Sequence, residues 1–116
     1  MEPYFAIEKS EEIFRSETSL IKFIKELLLQ NYKIYELNHK NGELIPYHAH
    51  GYKEMIIMTR GKMRLIIEEK IIDIEAGDII KIEPWAIHLS CFVDPEGASF
   101  YLCYPGKIRP SNKPAD

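Results

Sequence analysis

The rhythm of apolar and polar positions changes near residue 31. Before it, Leu20, Phe23, Ile24, Leu27 and Leu28 recur at helical spacing, with Lys22, Lys25, Glu26 and Gln30 between them, which predicts one amphipathic helix. Ser16 or Thr18 can cap its start, and Asn31 can adopt the left-handed conformation that closes a helix. The apolar stripe is expected to pack on the outside of a sheet, with a partner subunit as the alternative. From Tyr32 onward the chain breaks into short runs rich in Ile, Tyr and Val, at 32–37, 44–50, 53–59, 63–68, 71–74, 79–82, 87–93 and 99–104. Turn chemistry separates them: Asn41-Gly42, Arg60-Gly61-Lys62, Ala76-Gly77-Asp78 and Asp94-Pro95-Glu96-Gly97. Eight strands with no helix among them predict an all-β fold, an antiparallel double-stranded β-helix of jelly-roll type with one N-terminal amphipathic helix. The expected organisation is an N-terminal extension over 1–33, a barrel over 34–105 and a Pro-rich tail over 106–116.

Composition narrows this picture. The 116 residues, 46% of them hydrophobic, suit one globular core that can stand without disulfide or metal staples, so any metal is expected to serve function. Fifteen basic against eighteen acidic side chains give a net charge of −3 with no block of either sign, which argues against nucleic acid and membrane-surface partners. Met1-Glu2-Pro3-Tyr4 lacks the basic and apolar regions of a secretory signal, and no apolar run can span a bilayer, so a cytoplasmic location is expected. The two cysteines, Cys91 and Cys103, form no CxxC pair, which favours reduced thiols over a single inter-strand bridge.

The chemistry concentrates in Gly42-x5-His48-x-His50-x3-Glu54-x6-Gly61. Two histidines two apart on a strand share a face and can grip one ion, and Glu54 follows a short turn at Gly51 that can return it beside them. Imidazoles with a carboxylate and no thiolate suit one divalent Mn, Fe, Co, Ni or Zn ion. His88, just past the Pro84-Trp85-Ala86 corner, is the candidate fourth ligand. The plainer account makes these four ordinary strand and core residues; four ligand types at such intervals, with glycines at the turns, weigh against it. His39 stands outside the pattern and is read as a loop residue.

These segments resemble the paired motifs of the cupin superfamily, G(X)5HXH(X)3,4E(X)6G and G(X)5PXG(X)2H(X)3N. The first matches at every fixed position; the second begins at Gly77 and keeps the spacing to His88, with Glu83, Trp85 and Phe92 in place of the family's proline, glycine and asparagine. The likeness covers about residues 34–104 and implies a three-histidine, one-glutamate metal centre inside the barrel, with positions open to water, substrate or dioxygen.

Strand parity nominates a substrate pocket of Ile56, Met58, Met63, Leu65, Ser90 and Phe92, with Tyr47, Tyr52 and Trp85 near its mouth, where they either bind substrate or fill space. Arg64 and Lys81 should point outward. No catalytic base and no organic cofactor can be assigned, and Cys103 is read as simply buried unless its strand turns it toward the pocket. Three functions compete: a metal-dependent enzyme acting on a small organic molecule, dioxygenase-like ahead of isomerase, decarboxylase or lyase; a non-catalytic sensor or binding module; and an interaction protein built around a homodimer. A homodimer is expected under each.

Overall fold

The computed structural model describes residues 4–106, so the readings placed on Met1–Pro3 and on 107–116 lie outside the described residues. Eight strands are found among these residues: β1 (Phe5–Lys9), β2 (Tyr32–His39), β3 (Leu44–His48), β4 (Glu54–Ile67), β5 (Lys70–Glu75), β6 (Asp78–Ile82), β7 (His88–Cys91) and β8 (Ala98–Pro105). Two helices, α1 (Glu11–Phe14) and α2 (Glu17–Leu29), fall between β1 and β2. Every pairing is antiparallel, giving one sheet in the order β1-β6-β4-β8-β2 and a second in the order β5-β4-β7-β3.

The expected number of strands holds, but its members differ. The runs at 53–59 and 63–68 are one continuous strand, β4, whose first half lies between β6 and β8 and whose second half lies between β5 and β7. A register shift between Met58 and Arg60 and the left-handed Gly61 (φ +73°) carry the chain from one sheet to the other. An added Cβ at Gly61 would lie 1.9 Å from the Gly97 carbonyl oxygen, so backbone rather than side chain fills that corner. The missing member is β1, which falls inside the segment read as an extension. It pairs with β6 along its whole length, and its last residue, Lys9, donates to the buried Asp78 carboxylate at 2.8 Å. Its mostly exposed side chains give a weak apolar signal.

Strand alternation divides the core in two. Ile56, Met58, Met63, Leu65, Ile67, Ile74, Ile80, Ile82, Phe92 and Phe100 fill the barrel. Met55, Ile57, Ile79 and Cys103 face outward from the first sheet and are covered by Leu20, Phe23 and Leu27 of α2. The helix therefore packs on the outside of the sheet, and Cys103 faces it rather than the barrel interior. Ser16 caps α2 by accepting from the Ser19 N–H at 3.1 Å, and Asn31 (φ +68°) follows it in the left-handed region. Leu28, read as part of the stripe, is exposed. Both thiols are free, and no helix among the described residues is long and apolar enough to cross a membrane.

Candidate metal centre

The four candidate ligands meet at one end of the barrel. His48 ends β3, Glu54 opens β4, His88 opens β7, and His50 lies in the loop after β3. One ligand atom from each falls within 4.8 Å of all the others. The route differs from simple alternation along one strand. A bulge at Pro46-Tyr47 lets both Ile45 and His48 turn inward, setting His48 opposite His88, and β3 stops before His50. His50 is fixed instead by the second motif, since the Trp85 N–H donates to its carbonyl at 2.8 Å. Trp85 adopts φ +65° where the motif has glycine, so the turn keeps a left-handed residue at the strain a side chain brings.

Each imidazole is oriented by backbone. His48 Nδ1 lies 2.8 Å from the Pro46 carbonyl, His50 Nδ1 3.3 Å from that of Tyr52 and His88 Nδ1 2.9 Å from that of Ala86. A carbonyl only accepts, so Nδ1 carries the proton in all three rings, and Nε2 is left as the nitrogen whose lone pair could bind a metal. Glu54 Oε2 lies 3.0 Å from His50 Nε2 and 3.1 Å from His88 Nε2. The second contact lacks hydrogen-bond geometry, and His88 Nε2, on a residue only 2% exposed, has no partner among the described residues. A neutral imidazole lone pair and a carboxylate oxygen at that separation repel unless a proton or a metal cation lies between them. The donor set thus fits a divalent cation.

The electrostatics describe the proton alternative. Burial drives the Glu54 carboxyl up, but the His50 and His88 imidazoles facing it, when protonated, outweigh this and hold the group down at about 2. Burial pulls the His88 imidazole down, and the Glu54 carboxylate at Nε2 and the Ala86 carbonyl at Nδ1 together more than compensate, leaving it raised.

A cavity of about 100 Å³ adjoins the cluster, lined by His48, Glu54 and His88 and by Leu37, Ile45, Ile56, Met63, Ser90, Phe100 and Leu102. Of the pocket residues read from parity, Ile56, Met63 and Ser90 line it. Met58, Leu65 and Phe92 lie deeper in the same core because the cavity ends before them. Tyr47 is 55% exposed because the bulge turns it out. Tyr52 stacks flat on the His50 ring at 4.1 Å, outside the cavity, and Trp85 acts through its backbone at the rim. Leu37 of β2, Ile45 of β3 and Phe100 and Leu102 of β8 were not singled out from the sequence; the strands were legible, but the face each turns inward was not. His39 is the last residue of β2 rather than a loop residue, stacked on Phe92 at 4.3 Å.

A two-sheet antiparallel barrel with a His/Glu cluster at one end defines the class. A family model described as the cupin domain matches residues 36–102, more than half of the chain, and the chain belongs to the cupin domain family. Solved structures similar to it include an RmlC-like cupin family protein with a double-stranded β-helix fold from Methanocaldococcus jannaschii, at 18% identity and TM-score 0.61, covering 66% of this chain and 71% of that one. The polyketide cyclase RemF from Streptomyces resistomycificus is similar at 18% identity and TM-score 0.61, covering 68% of this chain and 57% of that one. A variant of oxalate decarboxylase from B. subtilis is similar at 26% identity and TM-score 0.62, covering 74% of this chain but 24% of that one. No curated protein matches the chain. The two named activities differ, so the shared fold selects no reaction.

Proposed function

We propose that this protein is a metal-dependent cupin enzyme that binds one divalent transition ion through His48, His50, Glu54 and His88 and acts on a small organic molecule. The observation that carries the reading is the set of three Nδ1–carbonyl contacts, which leave three Nε2 atoms and one carboxylate oxygen converging on one point. The bound ion would supply Lewis acidity or oxygen activation. The chain's own residues would hold three imidazoles in one tautomer, exclude water through the apolar walls, and admit ligand from the exposed His48 side. Apolar lining with no lysine or arginine favours dioxygenase-like chemistry over reactions of highly charged sugars. A non-catalytic sensor is the second reading, favoured by one observation: among the described residues, the cavity lining adds only Ser90 to the polar groups of the candidate ligands, which supplies no general base beside the centre.

Elemental analysis of untagged protein, with Mn, Fe, Co, Ni or Zn added back, should give one ion per chain. A wild-type chain that takes up none of them overturns the reading. Oxygen uptake with small enols and thiols then separates turnover from sensing. The same reading pairs two chains and keeps them in a reducing cytoplasm, as the free thiols suit. Support for pairing comes from the outer face of the second sheet, where exposed Ile71 lies in a cross-strand row with Ile66 and Leu89. A monomer by light scattering would refute the dimer.

A further inference from the structure

Ser90 is 4% exposed and lines the cavity, where it adds a hydroxyl to the polar groups of His48, Glu54 and His88. A hydroxyl on an otherwise apolar wall favours a ligand that can bond to it, because an apolar group that displaced its water would leave that bond unmade. Ser90 shares the inward face of β7 with His88, two residues deeper, so its Cα lies roughly 6–7 Å farther along the strand. The remaining walls are aliphatic or aromatic: Leu37, Ile45, Ile56, Met63, Phe100 and Leu102. A single water beside Ser90 would find one polar partner there instead of the two to four that hold buried water in place.

Resting on the metal-centre reading above, we propose that this cavity is the binding pocket for the tail of a short oxygenated aliphatic ligand, whose head reaches the metal centre and whose uncharged terminal oxygen bonds the Ser90 hydroxyl. Size sets the upper bound. The cavity's 100 Å³ is less than the ~150 Å³ that an apolar cavity needs to take up benzene, so the buried portion is smaller than an aromatic ring. About three waters' worth of volume corresponds to a tail of three or four non-hydrogen atoms. Charge sets the second bound. With no lysine or arginine among the lining residues, an ionised tail would be desolvated without a partner, whereas an anionic head is neutralised at the centre. Catechols and dicarboxylates are thereby excluded from the pocket, and short hydroxy acids and hydroxyketones are admitted.

The probes are 4-hydroxybutanoate and pentanoate, which match in length and differ only in a terminal hydroxyl or methyl. Each is titrated into the Co(II)-loaded chain, with binding read from the visible absorption of the ion and from calorimetry. The wild type should prefer 4-hydroxybutanoate, and Ser90→Ala should weaken that probe about five- to tenfold while leaving pentanoate and cobalt stoichiometry unchanged. Leu102→Phe, which fills the cavity from a partly exposed position, should weaken both probes and leave cobalt bound. Cobalt uptake with probes that bind equally to wild type, Ser90→Ala and Leu102→Phe would overturn the pocket and leave the metal centre standing. Failure of the wild type to take up cobalt would overturn both, and tight binding of catechol inside the cavity would overturn the size limit.

Discussion

His88 Nε2 and His39 Nδ1 are both buried ring nitrogens without a hydrogen-bond partner among the described residues, yet they sit at opposite ends of the barrel in different company. Around His88 Nε2 stand two more imidazole nitrogens, each on a ring aimed by a backbone contact, and a carboxylate oxygen. Beside His39 stand the rings of Phe92 and Phe100, with one glutamate oxygen of Glu43 at 3.7 Å. An orphaned nitrogen therefore marks a candidate ligand only where other donors converge on it, and at the far end the imidazole serves as a flat packing surface. The two ends also differ in how the backbone turns. Gly61 and Gly97 close the His39 end in left-handed conformations that leave no room for a Cβ, whereas Trp85 takes the left-handed position at the His88 end with its side chain in place.

The widest gap between the ends should appear on removing a ligand. Glu54→Gln or His88→Ala should lower metal affinity by well over the ~10- to 100-fold that loss of a supporting contact costs, while His39→Ala leaves affinity unchanged in competition titrations with a chromophoric chelator. Equal losses for His39→Ala and His88→Ala would erase the distinction. Next in size is Gly61→Ala. The blocked Cβ and left-handed φ should cost about 3–4 kcal/mol in urea denaturation, with no specific loss of metal from the molecules that remain folded. Removal of the metal comes third. At a hundredfold excess over its dissociation constant an ion that binds only the folded chain stabilises it by about 2.7 kcal/mol, so chelation should lower the wild-type melting temperature by roughly 10–20 °C and leave Glu54→Gln where it was.

Much of this architecture was legible because the residues that shape it act locally. Alternating Ile and Val runs, glycine turns, the Ser16 cap and the left-handed Asn31 each declare themselves within a few residues. What escaped depends on distant partners. β1 is a strand because β6 offers it an edge, and Gly61 is a corner inside one strand rather than a turn between two because Gly97 approaches it. The ligand quartet could be nominated from spacing, but not the bulge at Pro46-Tyr47 that aims His48 or the Trp85 amide that fixes His50. Nor could the cavity's outline be read, since Leu37 and Leu102 reach it only through the pairing of β2 with β8.

In the metal-free chain the contrast becomes one of pH. Glu54 is held below its ordinary range, so its contribution to stability is complete above about pH 4.5 and disappears as pH falls toward about 2. His88 is held above its ordinary 6.5, so its contribution is complete below that value and disappears as pH rises through the raised one. The stability that this pair adds should therefore be greatest between about pH 4.5 and 6.5, and Glu54→Gln should flatten the profile there. His39→Ala should leave its shape unaltered. A wild-type profile that tracks Glu54→Gln across that window would show the pair uncoupled.

The smallest effect concerns the strained turn at Trp85. Replacing the indole removes partly buried surface whatever takes its place, so the informative comparison is between Trp85→Gly and Trp85→Ala. Both lose the ring and both keep the amide that donates to the His50 carbonyl, but at φ +65° alanine retains the clash between Cβ and the backbone that glycine lacks. Trp85→Gly should be the more stable of the two by about 1 kcal/mol in urea denaturation of the metal-free chain, and the two should bind metal alike. Equal stabilities would mean that the chain relaxes out of the left-handed region once the indole is gone. His50 would then lose its backbone anchor, and metal affinity should fall in Trp85→Ala but not in Trp85→Gly.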